Sequence, residues 1–265
     1  SFLSACGFAS HSEKVKQDNT TARVVPIFNA DSAYHYVKAQ CDFGPRVPGS
    51  EAHAACLNYF IEQFNRFNAD TVIVQEGEMT IYDGTRMPVR NVVASYGLGK
   101  PNRVMICAHW DSRPFADNDI NLDNRSKPII GANDGASGVG VILELARQLG
   151  MRDAAMGVDL ILFDLEDWGA PDWAQSKLSD GGWALGSKYW ASRPHIPGYH
   201  AQFAILLDMV GAPRAQFYRE YFSDQYASWV VDRVWNKAAD LGLNHVFVNQ
   251  RGVGVTDDHI NVVRA

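Results

Sequence analysis

Hydrophobic positions along this chain change period several times, and each change marks an element. In "DSAYHYVKAQCDF" (residues 31–43) and "SEAHAACLNYFIEQFNRF" (50–67), apolar residues return three and four positions apart, which predicts two amphipathic helices. Ser50 stands where an N-cap belongs. Between them "GPRVPGS" is a rigid turn segment, and "TVIVQEGEMTIY" and "VRNVVASYG" then alternate as strands do. Three short apolar runs follow, "RVMICA", "VDLILF" and "FAILL", of the kind that suits strands buried on both faces. Helical patterns separate or follow them: "GVGVILELARQLG", "GWALGSKYWA" and "QYASWVVDRVWNKAADLG". Strands alternating with helices predict a three-layer αβα domain around a mostly parallel, mixed central sheet.

Composition narrows the setting. The 265 residues are 46% hydrophobic and carry a net charge of −6, enough chain for a sizeable core. Lys and Arg form no basic stripe, so nucleic acid is not expected as a partner. No apolar run approaches the roughly 20 residues that span a bilayer. The four cysteines show no metal-binding spacing, and Cys56 falls on the apolar side of its helix as a buried thiol. "LSACG" (Leu3 to Gly7) resembles the cleavage box of bacterial lipoproteins, and "FASHSEKVKQDNTTAR" reads as a polar tether. Residues 1–25 are therefore expected to be a signal remnant and tether, with Cys6 lipidated and the protein held in the bacterial cell envelope. Residues 26–265 are expected to form one catalytic domain.

Candidate chemistry collects where the buried runs end. The first ends in His109-Trp110-Asp111, the second is followed by Glu166-Asp167 in "FDLEDWG", and the third by Asp208. In open α/β sheets ligands bind beyond the carboxyl ends of strands, so these groups converge. "GANDGASGVG" adds Asp134 just before a helix, where a simple capping role is the competing explanation. So many carboxylates call for a compensating cation. Carboxylates with imidazole suit zinc, while an all-oxygen site would suit magnesium or calcium, and no phosphate-binding GxxxxGK[ST] loop or GxSxG nucleophile elbow is present.

Taken in order, "HWDS", "GANDGASG", "FDLEDWG" and "LLDMVGA" resemble the zinc aminopeptidase and glutaminyl cyclase (M28-type) superfamily. "GPRVPGS", "GSKYWA" and "VTDDHI" look more specifically like glutaminyl-peptide cyclotransferases, and the likeness runs from about residue 30 to the end of the chain. The resemblance implies that Asp134 and Asp167 ligate one zinc ion and that Glu166 carries protons. It further implies that Asp208 holds the substrate's α-amine and that Asp257 shares a network with Glu166 and Asp208. His109 and Asp111 become supports behind the site. Trp110, Trp168 and Trp183, with Trp173 nearby, are candidates for the substrate pocket. The implied reaction cyclises the N-terminal glutamine of peptides or proteins to pyroglutamate and releases ammonia.

Two other readings stay open. In a two-zinc aminopeptidase His109 and Asp208 would bind a second metal, Asp134 would bridge, and Glu166 would activate water. Peptidases of this group commonly carry an acidic residue after the bridging aspartate, where this chain has Gly135. The resemblance places a third, histidine ligand beyond "VTDDHI", and no matching motif precedes Ala265, so truncation at the C-terminus is expected. A metal-free scaffold is the remaining alternative. His259 is expected to be a structural histidine on a loop. His35, His53, His195, His200 and His245 are expected to be solvated or structural.

Overall fold

The structure is a computed structural model that describes residues 25–265. The expected lipidation box with Cys6, and the tether after it, lie outside the described residues. Helix α1 (Ala30–Asp42) starts at Asn29, whose side chain accepts the Ser32 N–H at 2.9 Å. Helix α2 (Glu51–Arg66) starts at Ser50, whose hydroxyl accepts the His53 N–H at 3.1 Å. Each cap satisfies one of the donors that a helix start leaves unpaired. A hairpin of β1 (Thr71–Thr80) and β2 (Arg86–Tyr96) comes next, then β3 (Arg103–His109), α3 (Ala136–Met151), β4 (Gly157–Phe163), α4 (Leu185–Ser192) and β5 (Ala204–Leu206).

These strands form one sheet in the order β1-β2-β4-β3-β5. Only β2 runs antiparallel to its neighbours, so β1, β4, β3 and β5 share one direction. The sheet is mixed and mostly parallel, with helices on both faces. Side chains alternate across it as the pleat requires. Val92, Ala94, Val104, Ala108, Leu160 and Leu162 face α2 and α3, while Val93, Met105, Cys107, Ile161 and Phe163 face Trp190 of α4. Strand β4 is buried at every position, which is why its sequence reads as one apolar run. Burying each large side chain there contributes about 1.5–3 kcal/mol.

The third apolar run behaves differently from the first two. Strand β5 is three residues long and half-buried, because it pairs with β3 alone among the described residues. Beyond it the chain adds a feature the hydrophobic pattern did not predict. Strands β6 (Phe217–Arg219) and β7 (Phe247–Arg251) make a small parallel sheet, with α5 (Tyr221–Asp240) between them in sequence. The chain ends in α6 (Asp258–Arg264), which Asp257 caps. His259 therefore belongs to a helix and not to the expected loop.

Candidate active site

Register brings the first two site residues together. Cys107 pairs with Leu206 across β3 and β5, so continuing the same register two residues onward sets His109 beside Asp208. His109 Nε2 lies 3.2 Å from Asp208 Oδ1 and 2.9 Å from Asp134 Oδ1. Its Nδ1 is 3.4 Å from Asp111 Oδ1. His109 is wholly buried, while Asp134 and Asp208 keep partial access to solvent. Burial opposes charge on the imidazole, but hydrogen bonds to Asp111, Asp134 and Asp208 hold its pKa well above the ordinary value. Burial likewise works to raise Asp134, and the bond to His109 leaves it lowered. One donor atom each from His109, Asp134 and Asp208 lie within 4.8 Å of one another, a group that could hold a metal ion. The resemblance assigned His109 and Asp208 other work, so this convergence enlarges the set of possible ligands.

Asp134 is delivered by a loop that glycine alone allows. Gly135, the N-cap residue of α3, has φ +92, and a Cβ there would lie 2.5 Å from the Asp111 carbonyl oxygen. The residue after Asp134 is thus glycine for a backbone reason.

The turn after β4 carries the acidic pair. Asp164 is buried and accepts from the backbone N–H groups of Arg90 at 2.8 Å and Leu165 at 2.9 Å, and it meets His53 Nε2 at 2.9 Å. Leu165 follows in the left-handed region with φ +52, a costly conformation for a branched side chain. Asp111 then takes the next two amides: Oδ1 accepts from Glu166 at 3.1 Å and Oδ2 from Asp167 at 3.2 Å. Burial raises the Glu166 carboxyl well above its usual range, and the charges of Asp258, Asp257 and Asp167 add to the effect. Burial, and next the charge of Asp134, push Asp167 up to about 7. Its Oδ2 is buried without a hydrogen-bond partner among the described residues.

Several contributors were invisible in the sequence. Arg113 donates to the Asp167 and Gly169 carbonyls at 3.2 and 3.4 Å, pairs with Asp117, and lies 4.7 Å from the Trp183 ring centre. His53, expected to be solvated or structural, is buried against Trp110 and Asp164. Asp258, next to the expected Asp257, is fully buried with neither oxygen hydrogen-bonded among the described residues. Burial and the charge of Asp257 raise its pKa well above the ordinary value. Asp257 accepts the Asp258 N–H at 2.5 Å, and burial followed by the charge of Asp208 pushes it up to about 6.

The tryptophans divide. Trp110 is a correction: it is fully buried, stacked on His53 at 4.1 Å and edge-on to Phe60 at 5.4 Å, so it belongs to the core. Trp168 packs half-buried against the Ile81, Val89, Leu165 and Leu185 cluster. Trp183 is 36% exposed and covers Gly169, where a Cβ would lie 1.9 Å from its ring. Trp173 is exposed and packs edge-on to Phe115 at 5.5 Å.

Comparison with known proteins sets this geometry among relatives. The family model of peptidase family M28 matches residues 91–265. The glutaminyl-peptide cyclotransferase of Bos taurus is 26% identical over 246 residues, covering 83% of this chain; the chain spans 65% of that protein's length. The glutaminyl cyclase of Bacteroides thetaiotaomicron, solved bound to N-acetylhistamine, superposes with a TM-score of 0.88 at 45% identity, covering 91% of this chain and 82% of its own. A Zn-dependent exopeptidase from Parabacteroides distasonis gives a TM-score of 0.88 at 46% identity with the same coverage of 91% and 82%.

Proposed function

We propose, from the premise that this chain belongs to peptidase family M28, that it is a zinc-assisted glutaminyl-peptide cyclotransferase. Its substrates would be peptides or proteins with N-terminal glutamine, and its products pyroglutamate and ammonia. The likeness to the Bacteroides thetaiotaomicron glutaminyl cyclase over nearly the whole described chain carries this reading.

The donor set suits a cation. Asp167 Oδ2 is buried and unpartnered, and the charge of Asp134 raises its pKa, so a positive ion here would relieve both penalties. Asp134 and Asp167 would hold one zinc ion, and His109, whose Nε2 converges on Asp134, is a further donor on hand. When bound, zinc supplies Lewis acidity toward the γ-carbonyl oxygen of glutamine.

The chain's own residues supply the rest. Asp208, partly open to solvent, would receive the substrate's α-amine and orient its lone pair toward the γ-carboxamide carbon. Glu166, raised by burial, is suited to take a proton from the attacking amine and return it to the departing ammonia. One C–N bond forms and one breaks, and the proton moves between the two nitrogens through a single carboxyl group. Asp258 and Asp257 add negative charge near Glu166, which raises its affinity for the proton it takes from the amine. Trp183, fixed by Gly169 and Arg113, would wall the substrate side.

A second reading is favoured by one observation, the convergence of His109, Asp134 and Asp208, which an exopeptidase could use for a second ion. Incubation with a glutaminyl peptide decides between them. Pyroglutamate with ammonia supports the cyclase; a free amino acid from an aminoacyl substrate replaces it with the peptidase. Neither product, with no metal on elemental analysis, sinks both. We also place the protein in the cell envelope through a lipidated Cys6, on the strength of "LSACG". Mass spectrometry of the native N-terminus tests that placement.

A further inference from the structure

We propose that Arg46, in the turn segment between α1 and α2, is the positioning residue that fixes the two acid-bearing loops relative to each other. The proposal rests on reading those acids as the reacting site.

Arg46 is fully buried, yet it makes no ion pair with a carboxylate among the described residues. Each of its three side-chain nitrogens donates to a backbone oxygen. Nε donates to Trp110 O at 2.9 Å, Nη1 to Ile130 O at 2.8 Å, and Nη2 to Gly131 O at 2.7 Å. Its own carbonyl oxygen accepts the Ser112 N–H at 3.2 Å. An arginine does not shed its proton, so this charge is buried permanently, at a cost of several kcal/mol before compensation. An apolar side chain of similar size would fill the space more cheaply. What it could not do is hold three carbonyls from two chain segments in one plane.

Those segments are the ones that aim the acids. On one side, Gly131 O also accepts the Ala136 N–H at 3.1 Å, which closes the turn around Asp134. Gly131 has φ +63, and a Cβ there would lie 2.9 Å from Arg46 Nη2, so the guanidinium and this loop touch directly. On the other side, Trp110 precedes Asp111, whose carboxylate grips the Glu166 and Asp167 amides. Arg46 thus joins the Asp134 loop to the strand end that sets the acidic pair. The turn segment "GPRVPGS" gains a role that no chemistry at the site itself supplies.

Arg46→Met and Arg46→Lys test this by hydrogen exchange on the metal-free and metal-loaded proteins. In Arg46→Met, amides 133–137 and 165–168 should exchange about tenfold faster or more, with β2 and β4 unchanged. Arg46→Lys keeps the charge but lacks the planar fork, so its exchange should fall between wild type and Arg46→Met. Should Arg46→Met not fold, Arg46→Lys carries the same comparison. Unchanged exchange in both segments overturns the proposal, as does an even rise through β2 and β4, which would mark a merely structural residue. Kinetics add a second readout: kcat on a glutaminyl peptide should fall about tenfold or more while KM stays within about twofold. A wild type that turns over no such peptide sinks the cyclase reading, and the exchange pattern still decides on Arg46.

Discussion

Asp111 holds Glu166 by the backbone: its Oδ1 accepts the Glu166 N–H at 3.1 Å while Oδ2 accepts the Asp167 N–H at 3.2 Å. A buried carboxylate at the end of β3 therefore fixes the turn after β4, across two strands that run parallel. Neighbouring strand ends are thereby tied into one platform that sets the acidic pair.

Asp111→Asn tests that grip. The amide side chain keeps one acceptor and turns a donor toward the other N–H, so one of the two bonds is lost. Hydrogen bonds to a charged group contribute about 1.5–3 kcal/mol, so kcat should fall roughly 10- to 100-fold. Steady-state kinetics with a glutaminyl peptide measure the loss. An unchanged kcat would show that the turn holds itself.

The acidic pair should separate into two roles. Glu166→Gln keeps the volume and removes the proton carrier, so turnover should drop about 10²–10⁴-fold with metal content retained. Asp167→Ala removes the buried carboxylate whose Oδ2 has no hydrogen-bond partner among the described residues, though Oδ1 lies 3.6 Å from Arg113, and should lose metal along with activity. Elemental analysis beside ammonia release reads both. Equal metal loss in the two variants would overturn the division.

Away from the site, Asp159 gives a pH prediction with a definite sign. Burial works to raise its carboxyl, but hydrogen bonds from Arg103, Ser95 and Tyr199 leave it lowered. Arg103 Nη2 is 2.6 Å away, Ser95 Oγ 2.6 Å and Tyr199 OH 2.8 Å. With the folded pKa below the unfolded value of about 3.9, the stabilisation is complete above that value and fades as pH falls through the folded one. Asp159→Asn should cost about 1.5–3 kcal/mol near neutrality, because it weakens the charge-assisted bond to Arg103, which keeps the Gly97 and Tyr96 carbonyls as acceptors. Urea midpoints of both proteins should draw together below about pH 4. A gap that stays constant into acid would mean the carboxylate's charge contributes nothing.

The sheet and its helices were legible because their signals are local: continuous apolar runs for β3 and β4, alternation for β1 and β2, and Ser50 before a periodic stretch. Strands β6 and β7 were not, since "FYR" and "FVNQR" are short, half polar and, among the described residues, pair only with each other. The site residues at strand ends could be listed from sequence, but their pairing could not. That His109 meets Asp134 and Asp208 depends on register and on a loop closed by glycine. Trp110 was misread for want of parity. It continues the inward row of Val104 and Ala108 on β3, so its ring enters the core while His109 faces the site. Arg46 was unreadable in principle, because an arginine in a turn normally marks a solvated surface and only the packed fold shows three carbonyls around it.

Gly135 carries the last prediction, and it bears on how cyclase and peptidase differ. An acidic residue after Asp134 would be the peptidase pattern, yet here φ is +92 and a Cβ would meet the Asp111 carbonyl oxygen at 2.5 Å and His109 Cε1 at 3.2 Å. Both neighbours belong to the platform under the acids, so relief of the clash must displace it. Gly135→Ala should cost about 1–3 kcal/mol for the backbone conformation alone, and more through the contact. Gly135→Asp should do at least as much harm and should not confer peptidase activity, because the backbone cannot present the new carboxylate without moving Asp111. Thermal melting and assays for both products measure the outcome. A Gly135→Asp protein with wild-type melting and new aminopeptidase turnover would show that the glycine serves specificity and not the backbone conformation.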